Sequence, residues 1–253
     1  MNKIYAVLPC YNESENIGLL IEDWLLQEET LNSCGYALEI VGIDDKSKDN
    51  TKKIIEEYSL KYKNVTLVAH DVNMNLGGAL NTGFNYFLDN GQSGDVCVLM
   101  DGDNTHDPKF ASTMFEKIQN GADCVIASRY CSNSEVVGVP GIREFLSNGA
   151  KAYYSIMLGV KNVKDYTCGY RMYTYDILKK AKNKYGDKLV ERKTFSCMME
   201  VLYKLSKIGC VFAEVPFTLR YDKKEGESKM KILNTVKDSL FTAFKLRFNI
   251  SSK

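Results

Sequence analysis

The sequence predicts an α/β fold in which helices cover both faces of a mostly parallel central sheet. Three observations predict it. From residue 3 to about 130, short apolar runs alternate with segments of helical period, joined by short connections. The run Val96–Met100 is β-branched and almost wholly apolar, as a strand buried on both faces must be, and Ile4–Leu8 and Val65–Ala69 read as further strands. Each run gives way to polar residues at its carboxyl end, the side on which open parallel sheets bind their ligands.

The first strand, Ile4–Leu8, stops at Pro9, and Ile17, Leu20, Ile21, Trp24 and Leu25 give Glu13–Gln27 a helical period. The loop between them, Pro9 through Glu15, carries two acids and no glycine. It cannot cradle a pyrophosphate on backbone amides as a GxGxxG turn does, which excludes an ordinary dinucleotide fold. A second strand, Ala37–Ile43, exits at Asp44-Asp45-Lys46-Ser47 and precedes a helix through Ile54, Ile55 and Tyr58. After the third strand, Val65–Ala69, the stretch Asn73–Gly83 opens a helix in which Gly77 and Gly78 permit close approach of a ligand or a strand. The fourth strand ends in Asp101-Gly102-Asp103, with Pro108 starting the next helix. The fifth, Asp123–Ala127, ends in Ser128-Arg129-Tyr130.

Beyond residue 130, Gly138–Gly141 reads as a loop, Arg143–Leu158 as a helix, and Asp165–Tyr173 as a turn leading into a short strand. Helices follow at Asp176–Lys184 and Ser196–Ile208, and Cys210–Val215 is a strand stopped by Pro216. From Arg220 to Lys253 nine basic residues stand against four acidic ones, while Leu233, Val236, Leu240, Ala243 and Phe244 share one helical face. Residues 230–253 are therefore expected to form a basic amphipathic helix, lying on an anionic membrane surface or docked on the core.

Composition narrows the function. Lys plus Arg (33) balances Asp plus Glu (32), so no bulk field points to nucleic acid. The eight cysteines show no CxxC pair and several fall in apolar runs, which reads as reduced thiols in a cytoplasmic protein. No signal-peptide pattern opens the chain, and no apolar stretch reaches the roughly 18 residues needed to span a bilayer.

The chemistry concentrates at Asp101-Gly102-Asp103. Two carboxylates so close repel unless a cation lies between them, and an oxygen-loving divalent ion such as Mg²⁺ or Mn²⁺ is the usual solution. Gly102 leaves the backbone open to a ligand. Tyr11, Asn12, Glu13, Asp44, Asp45, Asp101, Asp103 and Arg129 all follow strand ends, so a parallel sheet would bring them to one rim.

With these residues in place, the chain resembles the family 2 glycosyltransferases, and within them the dolichol-phosphate mannose synthase and polyprenyl-phosphate glycosyltransferase group. Pro9-Cys-Tyr11-Asn12-Glu13-Ser-Glu-Asn is similar to the family's nucleotide-contacting PxYNExxN, Asp44-Asp45-Lys-Ser47 to its DDxS, and Asp101-Gly102-Asp103 to its metal-binding DxD. Ser128-Arg129-Tyr130, Arg143 with Ser147, Asp165 through Arg171, Glu214-Val-Pro216 and Gly226-Glu-Ser228-Lys229 match later landmarks of the group. The pattern departs at Thr105, where the group often has a metal-ligating Gln, and at Asn75, where glycine is common.

The resemblance implies a nucleotide-diphospho-sugar transferase (GT-A type) fold and an inverting, metal-dependent transfer of a hexose. The donor would be GDP-mannose or a UDP-hexose, and the acceptor a polyprenyl phosphate. It implies a catalytic domain over residues 1–229, with a donor half (1–130) and an acceptor half (131–229). Pro9, Tyr11, Asn12, Glu13, Asp44, Asp45, Gly78, Asp101 and Gly102 would bind the donor. Asp101, Asp103 and Thr105 would hold Mg²⁺ or Mn²⁺, and Asp101, Asp103 and Arg129 would carry catalysis. Arg129, Arg143, Ser147, Arg220 and Lys229 would bind the acceptor phosphate, which is already anionic and needs cations, not a strong base. Such an enzyme would work at the cytoplasmic membrane face, peripherally or through a membrane-anchored partner. Two alternatives come from other classes: a haloacid-dehalogenase-like phosphatase with Asp101 as nucleophile and Asp103 as acid/base, and a non-catalytic nucleotide-sugar-binding protein.

Overall fold

The computed structural model describes residues 1–138, 141–220, 222, 232–248 and 250, without the side chains of 141–148 and 232–234. A seven-stranded sheet forms its centre. Its strands are β1 (Asn2–Cys10), β2 (Tyr36–Asp44), β3 (Val65–Ala69), β4 (Val96–Leu99), β5 (Cys124–Ser128), β7 (Arg171–Thr174) and β8 (Phe212–Pro216). They lie in the order β3-β2-β1-β4-β7-β5-β8. Every pairing is parallel except those of β7, which runs antiparallel between β4 and β5.

The apolar runs of β1 and β4 form strands because they are covered on both faces, whereas β3, at the edge of the sheet, is only half-buried. Ile4 through Leu8 and Val96 through Leu99 are buried, and Trp24, Ile17, Leu20 and Ile21 of α1 (Ile17–Leu25) pack into the same core. The helical segment expected over Glu13–Gln27 breaks at Leu26 and Gln27, and a separate short α2 (Glu28–Ser33) follows. The remaining helices are α3 (Thr51–Lys61), α4 (Asn75–Asn90), α5 (Ala111–Gln119), α6 (Gly141–Leu158), α7 (Tyr175–Tyr185), α8 (Ser196–Ser206) and α9 (Ile232–Arg247). Pro108–Phe110 is a turn of 3₁₀ helix that Asp107 caps by accepting from the Lys109 amide, and α5 continues from it.

Two short strands carry no sequence period. β6 (Glu135–Val137) and β9 (Thr218–Arg220) pair in parallel as a small second sheet. The tail helix α9 packs against α6 and α8, with Ala243 and Thr242 fully buried and the Tyr153 hydroxyl donating to the Leu240 carbonyl. Its other face exposes Phe241 and Phe244, and Phe248 just beyond its end is exposed as well. One face of the tail helix is thus docked on the core. No helix among the described residues is long and apolar enough to cross a membrane.

Candidate active site

Register assembles the rim. Cys10 lies opposite Asp44 across β1 and β2, and Val7 opposite Leu99 across β1 and β4. Arg171 faces Leu99 on one side and Ile126 on the other. Tyr11, Asp45, Asp101 and Arg129 therefore leave the sheet at one end, as the sequence pattern requires.

Close contacts then tie the loops together. A β-carbon on Gly102 would lie 2.8 Å from Cys10 Sγ and 3.1 Å from the Pro9 carbonyl oxygen. One on Gly169 would lie 2.8 Å from Asp101 Oδ2, so the segment before β7 forms a wall against that carboxylate. A β-carbon on Gly78 would lie 2.3 Å from Met74 Cβ, and the amide of its neighbour Gly77 donates to the Lys193 carbonyl at 3.1 Å. Asn12, Lys46, Asn75 and Asn104 hold left-handed backbone, with φ of 56°, 60°, 61° and 57°. Asparagine tolerates that region better than most side chains, which accounts for three of the four. At Asn75 it keeps the left-handed turn at the start of α4.

The Asp101–Asp103 turn is held from beneath. Asp103 Oδ1 accepts from the Thr105 hydroxyl at 2.7 Å and from the Thr105 amide at 3.3 Å. Thr105 is buried, and its carbonyl accepts the Arg220 amide at 3.0 Å, which anchors the turn to β9. His106 is packed between Phe217 and Tyr170, with ring centroids 5.5 and 5.6 Å away. Asn104 Oδ1 is buried with no hydrogen-bond partner among the described residues. Two carboxylates with an orphaned amide oxygen make an all-oxygen donor set, which suits a hard divalent cation. Among the described residues no group of three or more His, Cys, Asp or Glu is arranged to hold a metal. A cation here would complete its shell with donor phosphate oxygens and water, as Mg²⁺ commonly does.

At the exit of β2 the two acids differ. Asp45 Oδ1 lies 2.7 Å from His70 Nδ1 and accepts the Met74 amide at 2.7 Å, while His70 Nε2 sits 2.9 Å from Thr82 Oγ1 of α4. Asp45 thereby clamps the loop after β3. Asp44 is buried and accepts the Ser47 amide at 3.3 Å; Ser47 Oγ accepts the Asn12 amide at 2.9 Å. The Glu13 amide donates to Thr51 Oγ1 at 2.7 Å, and its carboxylate accepts from Asn16 at 3.0 Å. Sequence reasoning missed His70; its place directly after Ala69, the last residue of β3, was the available signal.

The cations are distributed unevenly. Arg129 donates through Nε and Nη2 to the fully buried Asp165 at 2.8 and 2.7 Å, and through Nη2 to Thr167 Oγ1 at 2.6 Å. Burial alone would raise the Asp165 carboxyl, but the Arg129 charge and hydrogen bonds outweigh it and hold the group at about 2. Arg220 makes a bidentate pair with Asp222 at 2.8 and 2.7 Å. Arg143 and Ser147 follow one another on α6, but their side chains lie outside the described residues, as does Lys229 altogether. Arg171 is buried and donates to the carbonyls of Cys168, Met198 and Tyr166, at 2.9, 2.6 and 2.9 Å. It pins the 165–170 loop that carries Asp165 at one end and Gly169 near the other.

Residues 5–181 match the model of glycosyl transferase family 2. The chain belongs to glycosyl transferase family 2. It is 30% identical over 237 residues to a polyprenol monophosphomannose synthase of Mycolicibacterium smegmatis, covering 93% of this chain and 83% of that one. An undecaprenyl-phosphate mannosyltransferase of Micrococcus luteus is 29% identical, over 90% of this chain and 87% of its own. A dolichol-phosphate mannosyltransferase of Pyrococcus furiosus is 33% identical, but the match spans only 59% of that longer protein. In fold, the family 2 chain is similar to glucosyl-3-phosphoglycerate synthase of Mycobacterium tuberculosis, solved with Mn²⁺ and UDP-glucose. That likeness has a TM-score of 0.65 at 17% identity, over 100% of this chain and 81% of the other. Mannosyl-3-phosphoglycerate synthase of Rubrobacter xylanophilus is a further neighbour, at a TM-score of 0.59, 12% identity and coverages of 98% and 74%. This is a glycosyltransferase of the GT-A fold. The phosphatase alternative does not survive: the acid pair leaves the fourth strand of a family 2 enzyme, where that chemistry would need the first strand of a different fold.

Proposed function

We propose that this glycosyltransferase moves a hexose, with inversion, from a nucleoside-diphosphate donor to the phosphate of a polyprenyl lipid. Asp101 and Asp103 would hold Mg²⁺ or Mn²⁺. The observation that carries the reading is this acid pair at the exit of β4, on the rim shared with the exits of β1 and β2. The named acceptors of the mannosyltransferase relatives support the lipid side of the proposal.

The metal, when bound, stabilises charge that develops on the departing diphosphate. Thr105 serves the metal site through Asp103, whose carboxylate it orients by donating its hydroxyl proton to Oδ1. Pro9, Tyr11, Asn12, Glu13, Asp44, Gly78 and Gly102 would contact the donor, GDP-mannose or a UDP-hexose. Asp45 would shape the same pocket through its clamp on His70 and Met74. An acceptor phosphate is ionised at neutral pH, so Arg129, Arg143, Ser147, Arg220 and Lys229 would position it without a general base. No buried His–carboxylate pair aimed at an acceptor hydroxyl is then needed.

The deciding experiment offers GDP-mannose, UDP-glucose and other nucleotide sugars with farnesyl phosphate or 3-phosphoglycerate, with and without Mn²⁺. Mn²⁺-dependent lipid-linked sugar is expected. Transfer to phosphoglycerate alone would overturn the lipid reading, and donor binding without turnover would favour a sensor.

The exposed face of α9 bears on where the enzyme works. Phe241, Phe244 and Phe248 are exposed beside Lys245, whose ammonium sits 4.5 Å from the Phe241 ring. Aromatic side chains flanked by lysines suit the interface of an anionic membrane. Paired substitutions Phe241→Ser and Phe248→Ser are expected to lower binding to anionic vesicles about tenfold while leaving the melting temperature within about 2 °C, because neither ring is in the core. Vesicle binding unchanged in the double variant would remove the membrane role. Deleting the helix is the poorer test, since Ala243 and Thr242 are part of the core.

A further inference from the structure

Two of the cations expected at the acceptor already face carboxylates. Arg129 is paired with Asp165 and Arg220 with Asp222, each through two nitrogens. A phosphate approaching either one meets a charge that is largely cancelled. Lys151 of α6 differs. Its ammonium lies 4.4 Å from the centroid of the Tyr130 ring, and among the described residues it makes no ion pair. The Arg129 guanidinium carbon lies 5.7 Å from the same ring.

A ring face and a carboxylate hold an ammonium in different ways. The quadrupole of Tyr130 attracts the cation and adds no negative charge that would cancel it. The ammonium stays in place and stays positive toward an incoming anion. Position adds to this. Lys151 follows Ser147 by one helical turn and Arg143 by two, so their α-carbons run along one face of α6. Tyr130 follows Arg129, whose partner Asp165 begins the loop that ends with Gly169 against Asp101. Lys151 thus stands at the acceptor side of the rim.

We infer that Lys151 binds the phosphate of the acceptor, with the Tyr130 ring holding its ammonium in place. The inference rests on the polyprenyl-phosphate reading for the identity of that phosphate. Arg129, in this arrangement, fixes the Asp165 loop and adds a partly cancelled charge.

The test compares wild type with Lys151→Met, which keeps the apolar stem over Tyr130, and with Lys151→Arg, which keeps the charge. Farnesyl phosphate is the acceptor probe. Lys151→Met is expected to raise its KM about tenfold and Lys151→Arg to stay within about threefold of wild type, with calorimetric affinity for the nucleotide sugar unchanged in both. Farnesyl phosphate is also titrated calorimetrically into each protein, with farnesol as the neutral control. An acceptor KM or farnesyl phosphate affinity within twofold of wild type in Lys151→Met overturns the inference, and so does an equal loss of donor affinity. If wild type makes no lipid-linked sugar from any donor, the functional reading fails. The calorimetric comparison then decides Lys151 alone: phosphate-dependent binding lost in Lys151→Met supports it, and equal binding overturns it.

Discussion

Asp103→Asn is expected to lower kcat by at least about 10²-fold and to leave the fold intact. The substitution removes a charge from the half-buried turn after β4 and almost no volume. Its amide oxygen can still accept both Thr105 bonds that Asp103 accepts, so the turn keeps its shape. What is lost is half of the anionic charge that would hold the metal against the donor diphosphate. Steady-state transfer across a Mn²⁺ titration, beside thermal melting, separates the two effects. Near-normal turnover at saturating Mn²⁺ would show that Asp103 is not needed for metal-assisted departure.

The second large effect is on stability. Asp165→Ala is expected to destabilise the protein by about 3–5 kcal/mol, because it strands the Arg129 guanidinium without a counter-ion and also removes the acceptor for the Thr167 and Cys168 amides. For a chain of this size that corresponds to a melting point lower by roughly 10 °C. The pH dependence has a defined sign. A carboxyl at about 2 in the fold, against an ordinary 3.8, contributes roughly 2 kcal/mol above pH 4. That contribution is lost as pH falls from about 4 through about 2, and the variant should lack this part of the acid slope. A loss below about 1 kcal/mol, with the acid slope unchanged, would mean that Arg129 finds water or another partner instead.

Much of the fold could be read in advance because short apolar runs bounded by turn residues mark the strands of a parallel sheet. Val65–Ala69 is a strand with the bounds expected of it, and Val96–Leu99 falls one residue short of them. The site rim was legible for the same reason: in a parallel sheet a polar residue after each apolar run must land at one end. What stayed hidden depended on partners far along the chain. His70 meets Asp45 from 25 residues away, and Arg129 meets Asp165 from 36. No local pattern marks such pairs. Asp222, by contrast, lies two residues from Arg220, so that pairing was open to inspection. The three-residue strands β6 and β9 are too short to show alternation.

The antiparallel β7 also constrains how the chain comes to be folded. It fills the gap between β4 and β5 from a position more than forty residues later than β5 in the sequence. While the chain is being synthesised, β1 to β4 can pair as they emerge, but β4 keeps one unsatisfied edge until Arg171–Thr174 has left the ribosome. An exposed row of amides and carbonyls on an apolar strand is a template for pairing with another nascent chain. Shielding of that edge by a chaperone, for as long as residues 129–170 take to be translated, would then set the yield of soluble enzyme.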